Sequence, residues 1–399
     1  MLLIYAQTPE ALEAIVAKHA DLLAQHGGEI LARTLCAPVA ADPGREHFGY
    51  RDGISQPVIR GTERFAKGVP QRDIVEPGEF ILGYKSNQGY FPPSPLVRAE
   101  DDFAGELAVP SSHELSRFPD FGTEKAGAAP HDFGRNGSYI VIRELQQDVT
   151  GFNRFATRKA AEITGKARSP NSDQCAYHGL EQLIGQVPDA EWIKAKLMGR
   201  WPDGRPLIGN PVQYSPASRA EERGEGGPSI SEMTRHRSER DNDFTYGIDD
   251  PQGLACPFGA HIRRTNPRDS KQPGDPSEQI ITNRHRLLRR WRSYTRQGPE
   301  GEKGLLFVAL CGNLERQFEF VQQTWAASPS FHGLTDEPDP IIGSGNGQSA
   351  GPASYTIPTP AGPVKLTGME QFVTARAGGY FFLPSRSAIR FLITAAFTD

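Results

Sequence analysis

Residues 304–323 read GLLFVALCGNLERQFEFVQQ, and their period changes part-way along. Leu305–Leu310 is an unbroken apolar run of strand length, as a strand buried on both faces requires. Asn313 follows Gly312 as a helix cap. Beyond it Leu314, Phe318, Val321 and Trp325 recur at helical spacing, so one face of the helix is apolar. A buried strand thus feeds a helix across a single capping asparagine.

The same unit recurs upstream. SYIVIR at Ser138–Arg143 reads as a buried strand, and Asp148 caps a helix carrying Phe152, Phe155 and Ile163. A further helix starts near Asp189 with Ile193 and Leu197 inward, and Gly379–Leu383 is a late strand followed by a short apolar helical end. At the start, Met1–Ala6 reads as a strand. Thr8-Pro9 opens a helix with Leu12, Ile15, Val16, Leu22 and Leu23 on one face, Gly27-Gly28 ends it, and Glu29–Cys36 reads as a second strand. Residues 53–137 are rich in Gly and Pro and read as long loops with short strands such as Glu79–Tyr84. Residues 215–243, dense in Arg and Glu, read as a flexible insertion, and Gly343–Ser354 as a Gly/Ser loop. Strands alternate with single helices in an α+β manner. No repeat and no glycine-rich nucleotide motif is present.

With 399 residues, 37% of them hydrophobic, the chain can bury a large core. Its 42 glycines and 33 prolines favour loops over a helical bundle. A net charge of −4 asks for neither nucleic acid nor an anionic membrane. Cys36, Cys175, Cys256 and Cys311 are irregularly spaced with no C-x-x-C pair, which fits a reduced compartment, and Met1–Ala6 lacks the basic leader of a signal peptide. A cytoplasmic protein is expected.

Three segments can carry chemistry. In Gly49-Tyr50-Arg51-Asp52-Gly53-Ile54-Ser55-Gln56-Pro57 two glycines bracket an acid, a loop able to aim a carboxylate at a flat ligand. The local residues equally describe an Asx turn at Asp52. In Cys256-Pro257-Phe258-Gly259-Ala260-His261-Ile262-Arg263-Arg264-Thr265-Asn266-Pro267-Arg268 one histidine has small or apolar residues before it and basic ones after. That suits a metal-ligating imidazole with cations nearby for a ligand's carboxylates, although a lone histidine is more often ordinary packing. Cys256 is an alternative thiolate ligand. In His285-Arg286-Leu287-Leu288-Arg289-Arg290-Trp291-Arg292-Ser293-Tyr294, strand alternation sends only one of two adjacent arginines inward, and a basic edge strand is the plain alternative.

Together, in this order and spacing, the three segments resemble the dye-decolourising peroxidase family. The likeness extends to Gly304–Gln323, to Asp339-Pro340-Ile341-Ile342-Gly343 and to Gly378–Leu383, covers most of residues 29–395, and is nearest the larger subfamilies with long loops. It implies two ferredoxin-like domains with antiparallel sheets, in a dimeric α/β-barrel-like arrangement: residues 1–137 carrying the Asp52 loop, and 138–399 binding one haem b. It implies His261 as the iron ligand, Asp339 as the acid behind it, Asp52 as distal acid and base, and Arg289, five positions before Tyr294, as the group stabilising O–O cleavage. Gly53, Ile54, Gln56, Leu305 and Phe307 are expected to line the haem, with Arg263 and Asn266 near its carboxylates. Hydrogen peroxide and a bulky phenolic or dye-like reductant are the expected partners, with a homo-oligomer open. Trp291 and Tyr294 are candidates for carrying electrons, with plain aromatic packing the alternative. A haem-handling protein with little turnover and a haem-free remnant are the competing readings.

The chain departs from the family at its start. Before Asp52 there is room for one strand, one helix and one more strand, so the first domain is expected to be short of strands. Trp291 and Thr295 stand where relatives tend to have glycine, which implies a narrower distal edge.

Overall fold

The computed structural model describes residues 1–37, 39, 44–66, 69–110, 129–168, 180–211, 242–270, 275–296, 301–343 and 354–395. Nearly all of the insertion expected at 215–243, most of the Gly343–Ser354 loop and Cys175 lie outside them.

Among the described residues there are ten strands: β1 Val58–Ile59, β2 Ile74–Val75, β3 Leu96–Val97, β4 His131–Asp132, β5 Ser138–Gln147, β6 Leu288–Thr295, β7 Lys303–Cys311, β8 Tyr355–Ile357, β9 Val364–Leu366 and β10 Val373–Leu383. Four of them form one antiparallel sheet in the spatial order β10-β5-β7-β6. β5 is followed by the helix Val149–Arg168, β6 turns directly into β7, and β7 is followed by helical turns before β10. Numbered one to four along the chain, the strands lie 4-1-3-2, the split βαβ arrangement of a ferredoxin-like unit. The expected α+β class with antiparallel sheets holds.

The local signals explain these elements. Asp148 Oδ1 accepts the Gly151 N–H at 2.8 Å, Asp189 Oδ1 that of Trp192 at 2.8 Å, and Asn313 Oδ1 that of Arg316 at 2.8 Å. Each satisfies one of the orphan donors of a helix start. The turns after Asn313, Glu315–Glu319 and Val321–Ala326, are wound wide: the Glu319 N–H reaches the Leu314 carbonyl and the Ala327 N–H that of Gln322, both five residues back. Such bulges recur beside functional sites. The main core lies between Val149–Arg168 and Ala190–Met198, where Phe152, Phe155, Trp192, Ile193 and Leu197 pack with Trp201 and Tyr355 of the β8–β9 hairpin.

Register puts alternate residues on one sheet face. Arg143 of β5 lies opposite Phe307 of β7, which lies opposite Trp291 of β6; one rung on, Tyr380, Val141, Ala309 and Arg289 align. Gly378 is needed beside Arg143, since a Cβ there would stand 2.6 Å from Arg143 Cδ.

Three expected strands are absent. Met1–Ala6 and Glu29–Cys36 are irregular and lie mostly exposed; a strand needs a neighbour to satisfy its backbone, and these segments find none. Between them the helix Pro9–Gln25 forms as read, capped by Thr8 at 3.2 Å from the Ala11 N–H, but buries no residue. Glu79–Tyr84 is a compact turn instead of a strand. The segment folds back until a Cβ on Gly78 would stand 2.2 Å from the Tyr84 carbonyl oxygen, and Gly312 N–H bonds the Glu79 carbonyl. Before residue 138 the strands among the described residues pair as β1 with β2 and β3 with β4, beside the isolated bridges Arg45–Arg51 and Ala108–Asp132.

Candidate active site

A cavity of about 500 Å³ lies between the sheet and the helices packed on it. Arg143, Leu145, Arg289, Leu305 and Phe307 supply its sheet wall, and His261, Ile262, Thr265, Phe318 and Val321 its helical wall.

His261 opens the short helix His261–Thr265. The approach to it is tight: a Cβ on Gly259 would meet the Tyr355 ring at 2.9 Å. The imidazole Nδ1 lies 2.9 Å from Asp339 Oδ2 and 3.2 Å from Oδ1. Asp339 is buried and also accepts the Ile341 and Ile342 N–H groups at 2.9 Å each. Burial pushes its carboxyl upward, but His261 and the two N–H groups outweigh that and hold it below the ordinary carboxylate range. With Nδ1 donating to Asp339, Nε2 is the nitrogen whose lone pair is available to a metal.

On the sheet side, Arg289 Nη1 donates to Asp52 Oδ1 at 2.8 Å. The same oxygen accepts the N–H of the next residue, Gly53, at 2.6 Å, so a local backbone bond and the long-range contact coexist. Gly53 has φ +84°, a conformation open to glycine at little cost. Arg290 is exposed and outside the lining, as alternation requires. Leu305, Phe307 and Ile54 line the cavity.

Gly53, Gln56 and Arg263 do not line it, and Asp339 stands behind His261 outside the lining. The Gln56 side-chain amide clasps the Arg289 backbone, donating to its carbonyl at 2.9 Å and accepting its N–H at 3.1 Å. Arg263 is buried behind His261, donating to Asp250 Oδ2 at 3.2 Å and the Cys256 carbonyl at 2.8 Å, with its guanidinium over the Tyr246 and Phe258 rings. It braces the loop that leads to the histidine. Cys256 is buried outside the lining, and burial pushes its thiol up to about 11, which disfavours a thiolate. Trp291 and Tyr294 are also outside; Tyr294 lies against Gly304, where a Cβ would stand 2.1 Å from its ring.

Sequence reasoning missed Arg200, Arg268 and Arg286, three buried arginines on the cavity wall. Arg286 pairs with Asp73 at 3.3 Å, while Arg268 donates to the Asn242 and Phe244 carbonyls and lies 3.9 Å over the Phe244 ring. Arg268 closes the quoted His261 segment, so its proximity was legible. Its φ of +53°, which turns the side chain to the cavity edge, was not. Asn266 lines the cavity, and its Oδ1 is buried without a hydrogen-bond partner among the described residues, as are Tyr50 Oη and Gln147 Oε1 of the same lining.

These features define an α+β protein with a single-imidazole pocket. No family model matches the chain. It is 30% identical over 377 residues to Peroxidase 2 of Mycetinis scorodonius, covering 87% of this chain and 56% of that protein. It is 28% identical over 430 residues to the dye-decolorizing peroxidase of Mycena epipterygia (98% and 66%), and 31% over 367 residues to a multifunctional dye peroxidase of an Amycolatopsis strain (88% and 61%). The chain thus spans about three fifths of the length of these relatives. Its fold matches an ancestral D-type dye-decolorizing peroxidase with TM-score 0.63 and 26% identity (96% of this chain, 71% of that one), and the DyP-type peroxidase of Auricularia auricula-judae with TM-score 0.60 and 26% identity (95% and 72%). The chain belongs to the dye-decolourising peroxidase family.

The residues fit the haem that the family implies. Among the described residues no three His, Cys, Asp or Glu side chains gather as a metal cage. A lone histidine suits a group that brings its own equatorial nitrogens. Apolar side chains supply flat walls, while buried arginines and partnerless polar atoms suit the carboxylates at its rim.

Proposed function

We propose that the chain is a haem-dependent peroxidase that reduces hydrogen peroxide and oxidises bulky phenolic or dye-like reductants. The observation that carries this is one cavity lined by His261, which Asp339 holds from behind, and by the Asp52–Arg289 pair. Haem b, one per chain, would supply the two-electron reduction of peroxide to water, the electrons being restored by two successive one-electron oxidations of the reductant.

The side chains do the rest. His261 Nε2 holds the iron, and Asp339 fixes the ring's tautomer and makes the imidazole a stronger donor. Asp52 takes the proton from the near peroxide oxygen and returns it to the departing one, a transfer typically worth about 10²–10⁴ in rate. Arg289 meets the negative charge that develops on the departing oxygen, a preorganised contribution of about 10²–10³. Leu305, Phe307 and Ile54 keep the pocket dry, which strengthens both effects. Arg268, with Arg200 and Arg286, takes the haem carboxylates in place of Arg263, and Asn266 adds a polar contact.

The same reading divides the chain at 137/138, with the Asp52 loop lent to the haem-binding unit, and allows a homo-oligomer. Free thiols at Cys36, Cys256 and Cys311 support a cytoplasmic location. Titrating the purified chain with haem and then adding one equivalent of hydrogen peroxide tests the function. A ferric Soret band that shifts on peroxide supports it. Binding without a shift favours a haem-handling protein, and no binding a haem-free remnant.

A further inference from the structure

We propose that Gln56 is the positioning residue that sets the geometry of Asp52 and Arg289, an inference that rests on reading that pair as the peroxide-handling one. β6 is an outer strand of the sheet, with β7 on one side only. The Arg289 N–H and C=O both meet the Gln56 amide, at 3.1 and 2.9 Å, on the free edge. One side chain therefore gives Arg289 the two bonds that a neighbouring strand would give. Gln56 is 5% exposed, so water cannot readily replace it.

Four residues earlier the same loop carries Asp52, whose Oδ1 receives Arg289 Nη1 at 2.8 Å. The result is a closed ring: from Asp52 along the loop to Gln56, across to the Arg289 backbone, and out along the Arg289 side chain back to Asp52. A weaker tie, Arg286 Nη2 to the Ser55 carbonyl at 3.4 Å, fastens the same loop to the residues before β6. The ring removes the freedom of the acid and the guanidinium to move independently. Glutamine alone suits the position: asparagine is a methylene too short, and glutamate at neutral pH has no donor for the carbonyl.

The test compares Gln56→Leu and Gln56→Glu with the wild type, in crystals of the haem-free protein and in stopped-flow with peroxide. In Gln56→Leu, Asp52 and Arg289 should separate beyond hydrogen-bonding distance. The haem-loaded form should react with peroxide at least about tenfold more slowly, since a misplacement near 1 Å can cost about 10²-fold. Gln56→Glu should regain rate as the pH falls, because a protonated carboxyl again donates to the Arg289 carbonyl; the wild type should lack this recovery. A merely structural role would lower Tm in both variants without moving the pH profile, and that result overturns the proposal. So does an intact Asp52–Arg289 contact in crystals of Gln56→Leu. A wild type inert to peroxide would sink the peroxidase reading instead, while the crystals would still decide whether Gln56 holds Arg289.

Discussion

Asp52 and Arg289, 237 positions apart in the chain, meet at 2.8 Å on the wall of the cavity that also holds His261. The carboxylate sits on a glycine-bracketed loop and the guanidinium on the outer strand of a sheet, so neither owes its place to the other's local sequence.

Asp52→Asn preserves shape and removes the proton acceptor. The reaction with peroxide should slow by about 10²–10⁴ with haem still bound. Stopped-flow absorbance at one equivalent of peroxide reads this directly, and an unchanged rate removes Asp52 from the mechanism.

The two adjacent arginines should behave oppositely. Arg289→Leu is expected to lower the peroxide rate constant by about 10²–10³. Arg290→Ala, on an exposed side chain outside the cavity, should leave it within twofold. Equal losses in both would mean that the strand register is wrong.

Asp339→Asn should raise the reduction potential of the haem iron, because a neutral amide withdraws less proton density from the imidazole. Spectroelectrochemistry of the loaded protein measures the shift. A potential equal to the wild type would detach Asp339 from the iron's ligand.

Arg268 and Arg263 should divide by readout. Arg268→Ala is expected to weaken haem affinity, measured by transfer to an acceptor protein. Arg263→Ala should chiefly lower Tm, since it strips the buried Asp250 of its charge partner at a cost of about 3–5 kcal/mol. Loss of haem in Arg263→Ala with no fall in Tm would restore the carboxylate role expected from its sequence position.

Lys196 offers a pH test. It donates to the Leu254 and Ala255 carbonyls at 2.8 and 2.6 Å, and burial pulls its ammonium down to about 8. Between pH 8 and about 10 the unfolded chain holds a proton that the folded chain has released. Stability contributed by this site should therefore rise with pH there, by at most about 1.4 kcal/mol per unit. Urea titrations of wild type and Lys196→Met at pH 7.5 and 9.5 read the difference; parallel pH dependences would contradict it.

Much of this was legible in the chain, wherever a signal was local. Thr8, Asp148 and Asn313 cap helices as read, and Asp189 caps the helix expected to start near it, because a cap needs only its own side chain and the next turn. The apolar runs at Ser138–Arg143 and Leu305–Leu310 became β5 and β7, the two inner strands, because each finds the other and a further strand to pair with. Met1–Ala6 and Glu29–Cys36 carry similar composition yet form no strand, since strand formation depends on a partner that composition cannot supply.

The sequence by itself determined which residues could do the chemistry: one histidine in an apolar-then-basic segment, one acid between glycines, and one inward arginine of an adjacent pair. It did so because residue type and short-range period are local properties. Only the tertiary structure decided which cations reach the cavity. Arg263 turns inward to Asp250, while Arg268, through a left-handed backbone, reaches the cavity edge. Likewise Gln56, in the loop as a prospective haem contact, clasps the Arg289 backbone instead. A side chain's direction depends on the backbone and partners around it, and those partners lie more than 200 positions away for Gln56 but within 13 for Arg263.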